Sequence, residues 1–136
     1  MFRSFLLFVG GTMNIQQVMS TVDELKPNTI DEGIKLGWLQ DVELMIYNEI
    51  ILTHEDCDKY EKPVVCLQTP YSKELIAEEP YAKLYAEYVM SKVDFIQQEW
   101  TAYNNMSEQF NQSYKEYMAY YGRTHKHKQV RIKNYM

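Results

Sequence analysis

Between Tyr81 and Tyr121 the apolar positions recur with the 3.6-residue period of two amphipathic helices in series. Tyr81, Leu84, Tyr85, Tyr88, Val89, Phe95, Ile96 and Trp100 share one face, and Met106, Phe110, Tyr114, Tyr117, Met118 and Tyr121 share the next. A break between them is predicted, with Asn105 as N-cap and Glu108 three positions on completing the cap pair. Upstream, Ile15, Val18, Met19 and Val22 predict a short helix from Asn14 to about Leu25. It ends at Lys26-Pro27, because proline disfavours helical geometry in the residue before it. A longer helix is predicted over 30–53, capped by Asn28 with Asp31 adding negative charge at its N-terminal end. Its seam comprises Ile34, Trp38, Leu39, Val42, Met45, Ile46 and Ile50, with Glu49 at the edge. At 1.5 Å per residue it would run about 36 Å. Gly33 and Gly37 weaken its first turns and leave a smooth strip open to close approach.

Residues 54–80 break this pattern. Pro63, Pro70 and Pro80 forbid a continuous helix, and Val64-Val65-Cys66-Leu67 is a short β-branched run. We expect a loop with one short strand at 64–67, paired with Leu75–Ala77. Loops of this length in a small domain are usually functional or interface-forming. The expected fold is therefore all-α: a small four-helix bundle with a long irregular loop, carrying a short strand or hairpin, between the second and third helices. Its expected core includes Trp38, Leu39, Ile46, Leu84, Tyr85, Tyr88, Phe95, Trp100, Phe110 and Tyr114.

A chain of 136 residues suits one domain. Twelve tyrosines give it many side chains with an apolar face and a polar tip, suited to wet cores and to interfaces. Three regions follow: residues 1–12 as a non-native or flexible extension, 13–122 as the helical domain, and 123–136 as a basic tail. Gly10-Gly11-Thr12-Met13 can be encoded by a purine-rich ribosome-binding sequence just before a start codon, which makes Met13 a candidate start. Alternatively, the first residues pack as an apolar arm on a neighbouring subunit. The run Phe5–Val9 is shorter than the roughly 7–15 residues of a signal-peptide core. No apolar run reaches the roughly 18 residues needed to cross a bilayer, so no membrane span is expected.

The net charge of −5 hides a segregation. Arg123, Lys126, Lys128, Arg131 and Lys133 lie in a tail without a single acid, on a strongly acidic body. Such a tail suggests a negative partner, whether nucleic acid or an acidic neighbouring subunit. Five cations alone give only non-specific, salt-sensitive binding to DNA, and no helix-turn-helix is legible. Gly122 stands where a helix C-cap belongs.

The search for reaction chemistry finds little. Two cysteines are too few for a disulfide framework. His54, Cys57 and Cys66 form H-x2-C-x8-C without the second ligand pair that structural zinc requires, and His125 and His127 sit among cations. The Glu-x-x-His pattern of di-iron bundles is missing from the long helices, which carry Asp41, Glu43, Asp94 and Glu99. Phosphate loops, nucleophile elbows and His-Glu-x-x-His are missing as well. Asp94, between Val93 and Phe95, is the acid nearest an apolar seam and needs an inter-helix or capping partner. No metal, no cofactor and no enzymatic reaction are expected.

Read as an ordered set, certain residues resemble a known family. They are Val22-Asp23-Glu24-Leu25-Lys26-Pro27-Asn28, Trp38-Leu39, Tyr81-x2-Leu84-Tyr85-x2-Tyr88, Asp94, Glu99, Tyr103-Asn104-Asn105, Phe110-Asn111, Tyr114 and Tyr120-Tyr121-x-Arg123-x-His125. The family is the small helical head–tail connector proteins of long-tailed bacteriophages and prophages, also called adaptor or head-completion proteins. The similarity covers about Val22 to His125 and is carried by packing residues, none diagnostic alone. The extension before Met13 departs from the pattern, as does Gln98 where the family would have Asn.

The resemblance implies a four-helix module that forms a ring, typically of twelve copies, beneath the portal protein of the virion neck. The ring would extend the DNA channel and dock the next neck protein. It implies that Tyr60, Val64, Val65, Leu67 and Tyr71 of the loop reach a neighbouring subunit or ring. It also implies that Arg123, Lys126, Lys128, Arg131 and Lys133 dock on the portal or lie near packaged DNA. A helical regulator of a host protein and a DNA-packaging accessory protein are the alternative classes.

Overall fold

Asn14 opens the first helix with a reciprocal cap. Its Oδ1 accepts from the Gln17 N–H at 2.9 Å, and its own N–H donates to Gln17 Oε1 at 2.9 Å. The computed structural model describes residues 11–128, and helix α1 spans Ile15–Leu25. Ile15, Val18, Met19 and Val22 are fully buried on its inner face. Each such side chain contributes roughly 1.5–3 kcal/mol of burial. The Lys26 N–H closes the last turn on the Val22 carbonyl.

Helix α2 spans Glu32–Glu49, shorter than the 30–53 predicted, and a separate 3-10 turn at Ile51–Thr53 follows it. Its N-cap is Asp31, whose carboxylate accepts from Gly33 N–H at 3.0 Å. Asn28, predicted in that role, instead accepts from Ile30 N–H at 3.0 Å in the turn before the helix. Leu36, Leu39, Val42, Ile46 and Ile50 are buried; Trp38 and Met45 are partly buried against them, and Ile34 is exposed.

The long connection returns as strand β2, Glu74–Glu78, with Leu75 and Ala77 turned inward. Its partner is not 64–67, which carries no strand, but β1, Thr12–Asn14. The two are antiparallel, with Thr12 opposite Glu78 and Asn14 opposite Glu74. Glu79 N–H extends the pairing to the Gly11 carbonyl at 2.9 Å. The alternation in β2 is the ordinary signature of a half-buried strand, whereas Val64 and Leu67 both face outward.

Helices α3, Lys83–Ile96, and α4, Trp100–Thr124, form the long hairpin. The reversal falls at 97–99, before the predicted break, so Asn105 is interior to α4. Gln98 N–H bonds to Phe95 O at 3.1 Å and Glu99 N–H to Asp94 O at 2.9 Å, with Gln98 in the left-handed region at φ 60°. This is the Schellman arrangement, a position that favours Gly or Asn. Leu84, Tyr85, Val89, Met90 and Val93 of α3 meet Phe110, Tyr114, Tyr117 and Tyr121 of α4, and Tyr88 lies half-buried over Phe110 with ring centroids 5.1 Å apart. The helix passes through Gly122 and ends at Thr124, with His125 as C-cap. The described residues are thus mostly helical, with four α-helices and a small antiparallel sheet.

Candidate interaction surfaces

Two charged pairs bring helix ends together. Lys26, just past α1, reaches Asp94 near the end of α3 at 3.0 Å, and Lys35 near the start of α2 reaches Asp23 of α1 at 2.8 Å. Asp94 is buried, so the inter-helix partner its chemistry requires is Lys26. At this end α1 and α3 finish while α2 and α4 begin.

The same end is apolar. Phe95, Ile96 and Trp100, expected to continue the buried stripe, are 49%, 55% and 52% exposed. They flank the reversal at 97–99, Phe95 and Ile96 in the last turn of α3 and Trp100 as the first residue of α4. Phe95 packs edge-on against Trp100 and tilted against Tyr103, each with ring centroids 5.4 Å apart. Leu25 at the end of α1 and Ile34 in the first turn of α2 are exposed too. Leu67 of the loop is exposed as well, with its Cδ1 close to Gly33, where an added Cβ would meet it at an ordinary contact distance of 3.4 Å. Gly37 faces open space.

The loop is pinned by one amide. Gln40 donates from Nε2 to Pro63 O at 3.1 Å and accepts at Oε1 from Val65 N–H at 2.6 Å. Val65 is consequently buried in the core rather than presented to a neighbour. Val64 and Leu67 on either side point outward. Tyr60 and Tyr71 are half-buried, and Tyr71 donates to Glu32 at 2.6 Å.

The start of the basic tail is attached. Lys128 N–H bonds to Thr53 O at 3.0 Å, Glu55 N–H bonds to Lys126 O at 2.8 Å, and His54 pairs with His127 between them. Buried His54 donates from Nδ1 to Ile50 O at 2.7 Å and packs its ring 4.0 Å from His127 and 4.8 Å from Tyr121. Arg123, Lys126 and Lys128 remain exposed; Arg131 and Lys133 lie outside the described residues. The domain boundary expected at 122–123 therefore falls inside α4, and 125–128 belong to the folded body.

Glu43 was not singled out as a core residue, yet it is 1% exposed and organises β2. Its Oε2 accepts from Ile76 N–H at 2.8 Å, and its Oε1 accepts from Tyr85 OH at 2.6 Å. Tyr85 oxygen in turn accepts from Ala77 N–H at 2.7 Å. Two successive strand amides are thus held by side chains from α2 and α3. Burial pushes the Glu43 carboxyl up to about 7, against the lowering pull of these donors. With both oxygens engaged and no exposure, the pair acts as a clamp. The signal in sequence is an acid beside Val42 on an otherwise apolar face.

Cys57 and Cys66 are free thiols, and among the described residues no group of three or more His, Cys, Asp or Glu is placed to hold a metal ion. No described helix is long and apolar enough to cross a membrane. Comparison with protein-family models, with characterised proteins and with solved structures returned no match.

Proposed function

We propose that this chain is a head–tail connector of a long-tailed phage or prophage: a four-helix module that assembles as a ring, of about twelve copies by family resemblance, under the portal in the virion neck. The observation that carries the reading is the apolar corner between α3 and α4, where Phe95, Ile96 and Trp100 stand about half exposed and Phe95 packs on Trp100. Exposed apolar patches of this kind mark protein–protein contacts. Aromatic side chains, tryptophan above all, are the usual anchors of such contacts. Arg123 at the end of α4 and Lys126 and Lys128 of the attached 125–128 segment are exposed and would supply a second, basic contact for the portal or for DNA.

The test is to mix the purified chain with the portal protein encoded beside it and follow mass by size exclusion with light scattering. Assembly on the portal, lost in Phe95→Ser/Trp100→Ser, is the expected result. A chain that ignores the portal, with or without its aromatic end, overturns the proposal. Salt-dependent retardation of DNA without portal binding would point to the packaging accessory class instead.

A further inference from the structure

Three histidines meet where the end of α4 returns to the turn that follows α2. His54 of that turn is 2% exposed, His125 is the C-cap of α4, and His127 stands two residues further on. Segments 53–55 and 126–128 are tied by two backbone hydrogen bonds, Lys128 N–H to Thr53 O and Glu55 N–H to Lys126 O. His54 lies opposite His127 between them, so the attachment centres on one buried imidazole.

That imidazole has no ready place for a second proton. Its Nδ1 faces the Ile50 carbonyl at 2.7 Å, an acceptor only, so Nδ1 carries the hydrogen of the neutral ring. The Thr53 hydroxyl, 3.1 Å from the same nitrogen, donates to the same carbonyl at 2.7 Å. Nε2 is buried and has no hydrogen-bond partner among the described residues. Around the ring stand His127 at 4.0 Å, Tyr121 edge-on at 4.8 Å and His125 at 6.4 Å, centroid to centroid. The acid of this corner, Asp56, serves other groups: Oδ1 accepts from Tyr121 OH at 3.4 Å, and Oδ2 lies 3.6 Å from His125 Nε2. Glu55 faces Lys126 at 4.0 Å in an exposed pair.

We propose that His54 and His127 form a pH-operated latch, holding 125–128 on the 53–55 turn while both rings are neutral and releasing it on acidification. Charging His54 in place would bury a cation whose new Nε2–H lacks an acceptor, against a second imidazole that gains charge over the same range. Opening admits water to both rings, so the open form binds more protons and is favoured as pH falls. His125 acts in the opposite sense, because Asp56 would hold its cation, but that pair is partly exposed and contributes little. The latch stands on this geometry alone and is independent of the connector reading.

The test follows NOEs between the backbones of His54 and His127 in the full chain. They should be present at about pH 8 and lost at about pH 5, the range over which histidine changes charge. Those between Tyr88 and Phe110, whose rings meet in the helical hairpin, should persist. His54→Asn keeps a donor for the Ile50 carbonyl but cannot ionise, so its contacts across the latch should survive at both ends of the range. His125→Gln should leave the release in place. Contacts that persist at low pH in the unmodified chain overturn the proposal, and so does their equal loss in His54→Asn. Should that variant fail to fold, ¹⁵N shifts of the His54 ring decide: Nε2 must take up its proton in step with release, and either event without the other overturns the latch.

Discussion

The stripe of α1 and the corner joining α3 to α4 carry the same kind of sequence signal and meet opposite fates. Ile15, Val18, Met19 and Val22 recur at helical spacing and are sealed from solvent; Phe95, Ile96 and Trp100 recur at helical spacing and stand about half exposed. Periodicity reports that a helix has an apolar face. What covers that face depends on where the neighbouring elements stop. The α1 stripe lies within the body of its helix, against its neighbours, whereas Phe95, Ile96 and Trp100 stand at the helix ends on either side of the reversal. An uncovered stripe of this kind is available to another molecule.

The comparison can be broken most forcefully from the covered side. Val18→Asp puts an unpaired charge into the α1 seam and should cost more than about 4 kcal/mol, enough to abolish the cooperative urea transition. Next comes the pH dependence of the Glu43 clamp. Its folded carboxyl sits at about 7 against an ordinary 4.5, so the folded state holds the proton more tightly. The associated stability is present below pH 4.5 and is lost as pH rises through 7, by about 3 kcal/mol for a shift of this size. Urea midpoints at pH 5 and 8 should differ less in Glu43→Gln than in the unmodified chain.

Lys26→Met leaves the buried Asp94 carboxylate without its cation. Because the lysine is partly exposed, the cost should be about 2 kcal/mol, less than for a fully buried pair. Gln98→Asn relieves the left-handed position at the reversal and should raise stability by up to about 1 kcal/mol, seen as a higher thermal midpoint. The smallest stability effect belongs to the exposed corner: Phe95→Ser/Trp100→Ser should move the midpoint by no more than about 0.5 kcal/mol while removing assembly on the portal. If that double variant unfolds the chain, the corner is core and the comparison fails.

The amino-acid sequence by itself determined the local elements. The α1 stripe, the Asn14 boundary, the long α3–α4 hairpin and the inward residues Leu39, Ile46, Leu84, Tyr85, Phe110 and Tyr114 are all legible from 3.6-residue spacing and from proline, since these depend on near neighbours in the chain. Only the tertiary structure decided which partners meet across it. Strand β2 pairs with β1 some sixty residues upstream, Gln40 draws Val65 inward, and His54 pairs with His127. Glu43 becomes a clamp only when β2 and Tyr85 arrive beside it. No periodicity encodes such meetings, because they are set by chain reversals whose position is decided by a single residue. Gln98, with its left-handed backbone, moved the reversal ahead of Asn105 and left Phe95 and Trp100 uncovered.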